Sequence, residues 1–198
     1  YALAKNFGEH QLHGGPDNFS IRHWAAEAND KSIRFSLHSP DGDQGYPGAL
    51  DVTATYAVSG STLSLDFEAR TSKPTVVNLT NHAYWNMSGG AVGAFEQQMQ
   101  IMGSRYLPLS DELLPSGELR DVTGTRYDFR QLRSVGGVYD NCWVLDGPRG
   151  TLKHGLTLRD PSSGRSMAIW TTEAGMQMYT AEHWDGVFPG KTGPLKQY

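Results

Sequence analysis

The chain is poor in the residues that announce most kinds of chemistry. Cysteine occurs once, at Cys142, which rules out an intrachain disulfide and any site built from several thiolates. A reducing, cytoplasmic setting is therefore the expectation, with periplasmic or secreted settings also compatible. Charged residues make up 19% of the chain and the formal net charge is -4. No basic stripe exists to neutralise phosphates, so nucleic acid is excluded as a partner. Long apolar runs are missing too, so no membrane-spanning helix is expected, and the start, "YALAKNFGEH", lacks the apolar core of a signal peptide. There is no P-loop, no G-x-S-x-G elbow and no G-x-G-x-x-G fingerprint, which removes the usual warrants for nucleotide, hydrolase or dinucleotide chemistry. His10 and His13 share a metal-like spacing, but no nearby histidine or cysteine completes a set. Neither a metal nor a cofactor is expected.

What is present is alternation. At 198 residues the chain has the size of one ordinary domain and can bury a core of its own. "SIRFSLHSP" puts Ile33, Phe35 and Leu37 on one strand face, and "STLSLDFEAR" does the same with Leu63, Leu65 and Phe67. Further runs at "ALDVTATYAV", "QQMQIMG", "CWVLDG", "LTLRD", "SMAIWTT" and "MQMYTA" are separated by turn-rich stretches such as "SPDGDQGYPG" and "DPSSGRS". Many short strands at this spacing predict an all-β chain, an antiparallel sandwich or barrel over residues 1–198. Little helix is expected, at most a short turn in "PSGELRDV" or "FRQLRSV".

Four clusters combine polar groups with aromatics or glycines beyond what packing requires: "LHGG" at 12–15, "NHAYWN" at 81–86, "YDNCW" at 139–143 and "GMQMYT" at 175–180. His82 follows "PTVVNLT", which reads as a buried strand, so the imidazole is expected at or just past a strand end, beside Tyr84 and Trp85. A lone histidine there is either a hydrogen-bonded core residue or a catalyst. His13 precedes two glycines, which make a simple turn or let backbone approach a ligand. Asp140 suits a turn or the bidentate acceptance of sugar hydroxyls. Gln177 alternates with Met176 and Met178, so it faces a ligand or solvent on the side away from them. Sequons at Asn18, Asn78 and Asn86 match the glycosylation pattern, but two lie in the candidate site and all are read as unmodified.

Taken in order, "LHGG", "DGDQGYPGALDVTATY", "VNLTNHAYWNMSG", "LPLSDELLPSGELRDVTGTRYDF", "YDNCWVL" and "GMQMYT" resemble the aldose 1-epimerase, or galactose mutarotase, family along essentially the whole chain. The resemblance implies a mutarotase-like β-sandwich. It also implies an isomerase that interconverts the anomers of free aldohexoses such as glucose and galactose, with a small sugar as its partner. In that resemblance His82 corresponds to the catalytic histidine, and His13, Asp140 and Gln177 to groups that hold sugar hydroxyls. Two family segments are expected but not found. The base glutamate belongs to a "GFCLETQ"-like segment, and this sequence stops at Tyr198 before it. A substrate-binding arginine belongs to a "GRxANR"-like segment that would precede Tyr1. The alternative expectation is a non-catalytic carbohydrate-binding sandwich. Nothing in the sequence sets the oligomeric state.

Overall fold

The structure is a computed structural model that describes residues 1–91, 93–190 and 193–196. Among these residues the strand pairings are antiparallel and the only helices are two single 3-10 turns, Asp43–Gly45 and Ala94–Glu96. The all-β expectation therefore holds. The chain divides into two compact units, Tyr1–His82 and Ala83–Tyr198.

The first unit is built on one four-stranded sheet. Strands β1 (Ala25–Ala28), β2 (Ser32–Ser39), β3 (Leu50–Ser59) and β4 (Thr62–Thr71) pair in chain order. Period-two alternation dictates the register, because facing residues must share a sheet face. Phe35 lies opposite Ala54 and Ala54 opposite Phe67, while Ile33, Tyr56 and Leu65 form the neighbouring row. Val52 and Ala54 in the centre are buried, but Val58 and Leu63 near the hairpin end are 54% and 52% exposed. The β3–β4 hairpin closes over Gly60 and Ser61, and Gly60 takes the positive φ of 58° that a two-residue loop demands.

The second unit has two layers. Strands β5 (Gln98–Ile101), β6 (Arg105–Leu107), β7 (Arg120–Asp121), β8 (Arg133–Ser134), β9 (Asp140–Val144), β10 (Lys153–Arg159), β11 (Ser166–Thr171) and β12 (Gly175–Tyr179) form two sheets. Their orders are β11-β10-β5-β8 and β12-β9-β6-β7. A hairpin of β13 (Asp185–Gly190) and β14 (Gly193–Lys196) follows. Ile101 and Leu156 from one sheet share a core with Tyr106, Trp143 and Met178 from the other, which makes this unit a sandwich. Trp143 is fully buried, and its indole N–H donates to the Tyr127 carbonyl at 2.8 Å, so the large ring brings no unpaired polar atom inside.

Two local expectations are corrected. "PTVVNLT" is not a buried strand: residues 74–80 lie outside every sheet of the described residues, and Val76 and Val77 are 66% and 41% exposed. An apolar β-branched run becomes a buried strand only where a neighbour takes up its backbone groups, and none of the described strands does so here. Nor is "PSGELRDV" or "FRQLRSV" helical. Gly117 sits at φ 86°, and the two stretches instead supply β7 and β8, paired to β6 and β5. Phe129 and Val135 are fully buried while Leu132 is exposed, a pattern set by contacts with the core rather than by helical spacing.

Candidate active site

In the first unit, the residues that lead to His13 are fastened by side chains to a distant loop. Gln11 donates to the carbonyls of Ala4 and Gln44 at 2.9 and 3.2 Å, and the Tyr46 hydroxyl donates to Gln11. His13, Gly14 and Gly15 all have positive φ, at 53°, 89° and 94°. The second glycine of "HGG", Gly15, is favoured by its positive φ, and a Cβ there would meet the movable end of the Gln44 side chain, at 2.6 Å from Oε1. The turn reading of this motif is thus realised. Behind it, Arg22 binds Asp43 at 2.5 and 2.8 Å and Asp17 at 2.8 Å, and Ser39 donates to Asp43 at 2.5 Å. The Arg22 guanidinium holds the Asp43 carboxyl down at about 2, against an ordinary 3.8.

His82 reaches the same neighbourhood from the far end of the unit. Asn81, just before it, donates to the Tyr56 hydroxyl of β3 at 2.9 Å, tying this segment to the sheet. The His13 and His82 rings then meet edge to face, with centroids 5.1 Å apart and planes at 87°. Both residues are exposed rather than sealed in a core. An imidazole in water can exchange a proton near neutral pH, and a second ring at its edge fixes its orientation.

In the second unit, the ladder does the positioning. On the β9–β12 pair, Tyr179 faces Asp140, Gln177 faces Cys142 and Gly175 faces Val144, so these residues share one face of the sheet. Met178 is buried on the other face, which confirms that the methionines turn Gln177 away from the core. Gln177 Nε2 donates to Asp140 Oδ1 at 2.7 Å. Carboxylate and amide are thereby held as one planar polar edge whose remaining oxygens can accept from hydroxyls. Gly175 cannot be larger, because its Cβ would lie 2.8 Å from Cys142 Sγ.

Aromatic rings stand beside this edge. Tyr84 packs against Trp184 with centroids 4.5 Å apart, and against Tyr179 at 6.0 Å. Burial pushes both phenols above their ordinary value of 10, and the charges of Asp140 and Glu182 push in the same direction. Both phenols therefore keep their protons at neutral pH and remain hydrogen-bond donors. Tyr84 stood out in the sequence beside His82; Trp184 did not. Its only signal is an aromatic residue a few positions beyond a strand end, in "AEHWDG". Among the described residues no three histidine, cysteine, aspartate or glutamate side chains are grouped to hold a metal ion. No helix among them is long and apolar enough to cross a membrane.

Comparison with known proteins now decides the family. The family model described as aldose 1-epimerase matches residues 1–194. The chain belongs to the aldose 1-epimerase family. It is 36% identical over 205 residues to the galactose mutarotase of Homo sapiens, covering 98% of this chain and 59% of that protein. It is 32% identical over 208 residues to the aldose 1-epimerase of Haemophilus influenzae, covering 98% of this chain and 60% of that protein. The crystal structure of an aldose epimerase homologue from C. elegans superposes with a TM-score of 0.88 at 26% identity, over all of this chain and 63% of that one. The chain thus spans about three fifths of the length of the relatives it matches. Membership agrees with the all-β, antiparallel fold expected from the sequence.

Proposed function

We propose that this aldose 1-epimerase family chain binds a free aldohexose and contributes the acid of anomer interconversion. The observation that carries the reading is the fixed hydroxyl-accepting edge of Asp140 and Gln177 in the second unit; the resemblance adds the exposed His82 of the first unit, in edge contact with His13 there, as a side chain able to exchange protons. Turning an α-pyranose into its β-anomer requires a base to remove the proton of the anomeric hydroxyl while an acid protonates the ring oxygen. The bond from the anomeric carbon to the ring oxygen then breaks, leaving an open-chain aldehyde. Rotation about the adjacent carbon–carbon bond turns the other carbonyl face toward the hydroxyl, and closure returns both protons. His82 is the acid in this scheme, since an imidazole can both give a proton and recover it. His13, Asp140 and Gln177 hold hydroxyls and fix the ring. Tyr84 and Trp184 offer apolar faces to the sugar's C–H surfaces. The resemblance assigns the base to a glutamate in a segment outside these 198 residues.

Polarimetry on freshly dissolved α-glucose and α-galactose tests the proposal. In a form that also carries the glutamate the resemblance names as base, catalysed decay of rotation toward the equilibrium value, above the buffer rate and lost with His82→Asn, supports it. Sugar binding without any acceleration, unaffected by His82→Asn, would instead support a non-catalytic sugar-binding role.

A further inference from the structure

One carboxylate beside the Asp140–Gln177 edge has no part in the scheme above. Glu182 lies just beyond β12, in a reverse turn closed by the Trp184 N–H donating to the Ala181 carbonyl at 3.0 Å. Ala181 is buried and takes a positive φ of 58°, a conformation that a residue with a Cβ adopts only at a cost. The turn folds back so that Glu182 follows Tyr179 closely and precedes Trp184, the two residues whose rings contact Tyr84. Its Oε2 is buried and accepts no hydrogen bond from any described residue. A buried carboxylate oxygen left without a donor costs more than an ordinary unmade hydrogen bond, so a native site that keeps one generally gives it a partner in the working state.

We infer that Glu182 is a second hydroxyl acceptor of the sugar site and a determinant of which aldose fits. The inference rests on the sugar-binding reading above and deepens it. Three features of the surroundings select the ligand. The charge of the side chain reaches Tyr84 and Tyr179, and Tyr84 packs against Trp184, rings that suit the C–H face of a pyranose. Asp140, across the ladder from Tyr179, supplies a second carboxylate whose charge reaches the same two phenols. Finally, both phenols stay protonated at neutral pH and so add donors to a site whose carboxylates only accept. A ligand that satisfies this set offers several hydroxyl donors and no negative charge. The substrate class is therefore a neutral aldose, with sugar phosphates and uronates disfavoured by two nearby carboxylates. Glu182 would read one hydroxyl of that aldose, because a site built to bond a hydroxyl rejects the analogue that lacks it.

The test is the affinity of the full chain, by isothermal titration, for glucose, galactose and their single-deoxy analogues, in the wild type, Glu182→Gln and Glu182→Asp. Both variants should bind the parent sugar roughly 10–100-fold more weakly, the range for a hydrogen bond to a charged group. For one deoxy analogue, the one missing the hydroxyl that Glu182 accepts, that difference should vanish. Circular dichroism checks that each variant is folded, and the wild type must itself discriminate against that same analogue. Equal losses for every analogue, no loss at all, or a wild type that treats all deoxy analogues alike would overturn the assignment while leaving the sugar-binding reading intact. A wild type that binds none of these aldoses overturns both.

Discussion

The two units spend the same sequence pattern differently. Both are built from strands with apolar residues at every second position, yet few side chains of the first unit's sheet, Val52 and Ala54 among them, are fully buried. Ile33, Phe35 and Leu65 on the same face are only half-buried. In the second unit, two sheets enclose one core in which Trp143, Phe129 and Ile101 are removed from water altogether. Alternation makes one face of a strand apolar, but burial comes from a second layer within reach. The candidate residues of each unit are held differently too. The imidazoles of the first unit stand on segments fastened by side-chain hydrogen bonds, whereas Asp140 and Gln177 of the second are held by the strand ladder itself.

That contrast can be broken at several strengths. On the proposed roles, in a form that also carries the glutamate the resemblance names as base, His82→Asn should lower kcat by roughly 10²–10⁴-fold in polarimetry with little change in sugar affinity, because the proton transfer exists only in the transition state; in these 198 residues alone the same substitution should change little. Asp140→Ala should mainly raise KM, since it removes a contact made in ground and transition state alike. If both variants changed the same parameter, the division of labour between the units would be wrong.

For stability, Trp143→Ala should cost about 3–5 kcal/mol in urea denaturation, the range for deleting a fully buried large aromatic. Phe35→Ala, on the half-buried face of the first unit, should cost about 1–2 kcal/mol, because part of its area stays in water already. Equal losses would show that the first sheet is better covered than its exposures indicate.

A smaller effect concerns charge. Asp43 titrates at about 2 when folded against 3.8 ordinarily. Its pairing with Arg22 therefore stabilises the first unit fully above pH 4, and that contribution is lost as pH falls through about 2. Asp43→Asn should remove on the order of 1–2 kcal/mol at pH 7 and flatten the acid limb between pH 4 and 2, followed by circular dichroism. Smallest of all, Leu113, which is 51% exposed with φ 61°, sits in a conformation that suits glycine. Leu113→Gly should raise stability by up to about 1 kcal/mol, since it relieves a Cβ clash and gives up little burial. A loss there would mean that the half-exposed leucine packs more than it strains.

Several parts of this molecule could be read in advance. "STLSLDFEAR" and "SMAIWTT" carry their strand period openly, and the expected pairs of apolar rows emerged in β2–β4. "LHGG" announced a turn that needed glycine, and Gly14 and Gly15 both take positive φ. Gln177 was placed on the face away from the methionines by alternation alone, and β12 puts it there. Less was legible where contacts are distant in sequence. Nothing local in "FRQLRSV" says that Arg133 will lie opposite Met99, and nothing in "AEHWDG" says that Trp184 will meet Tyr84, a hundred positions earlier in the chain.

What the sequence determined by itself is therefore what one strand or turn can express: which face is apolar, where the chain must reverse, which chemistry a single cysteine rules out, and which polar residues sit out of place for packing. The tertiary structure alone decided which apolar faces find a covering layer, why Val76 and Val77 stay exposed where a buried strand was expected, and which rings stand around Asp140 and Glu182. The physical reason is one of range. Periodicity and backbone preference act over a few residues, whereas burial, pairing and the surroundings of a charge are set by groups that only the folded chain brings within a few ångströms of each other.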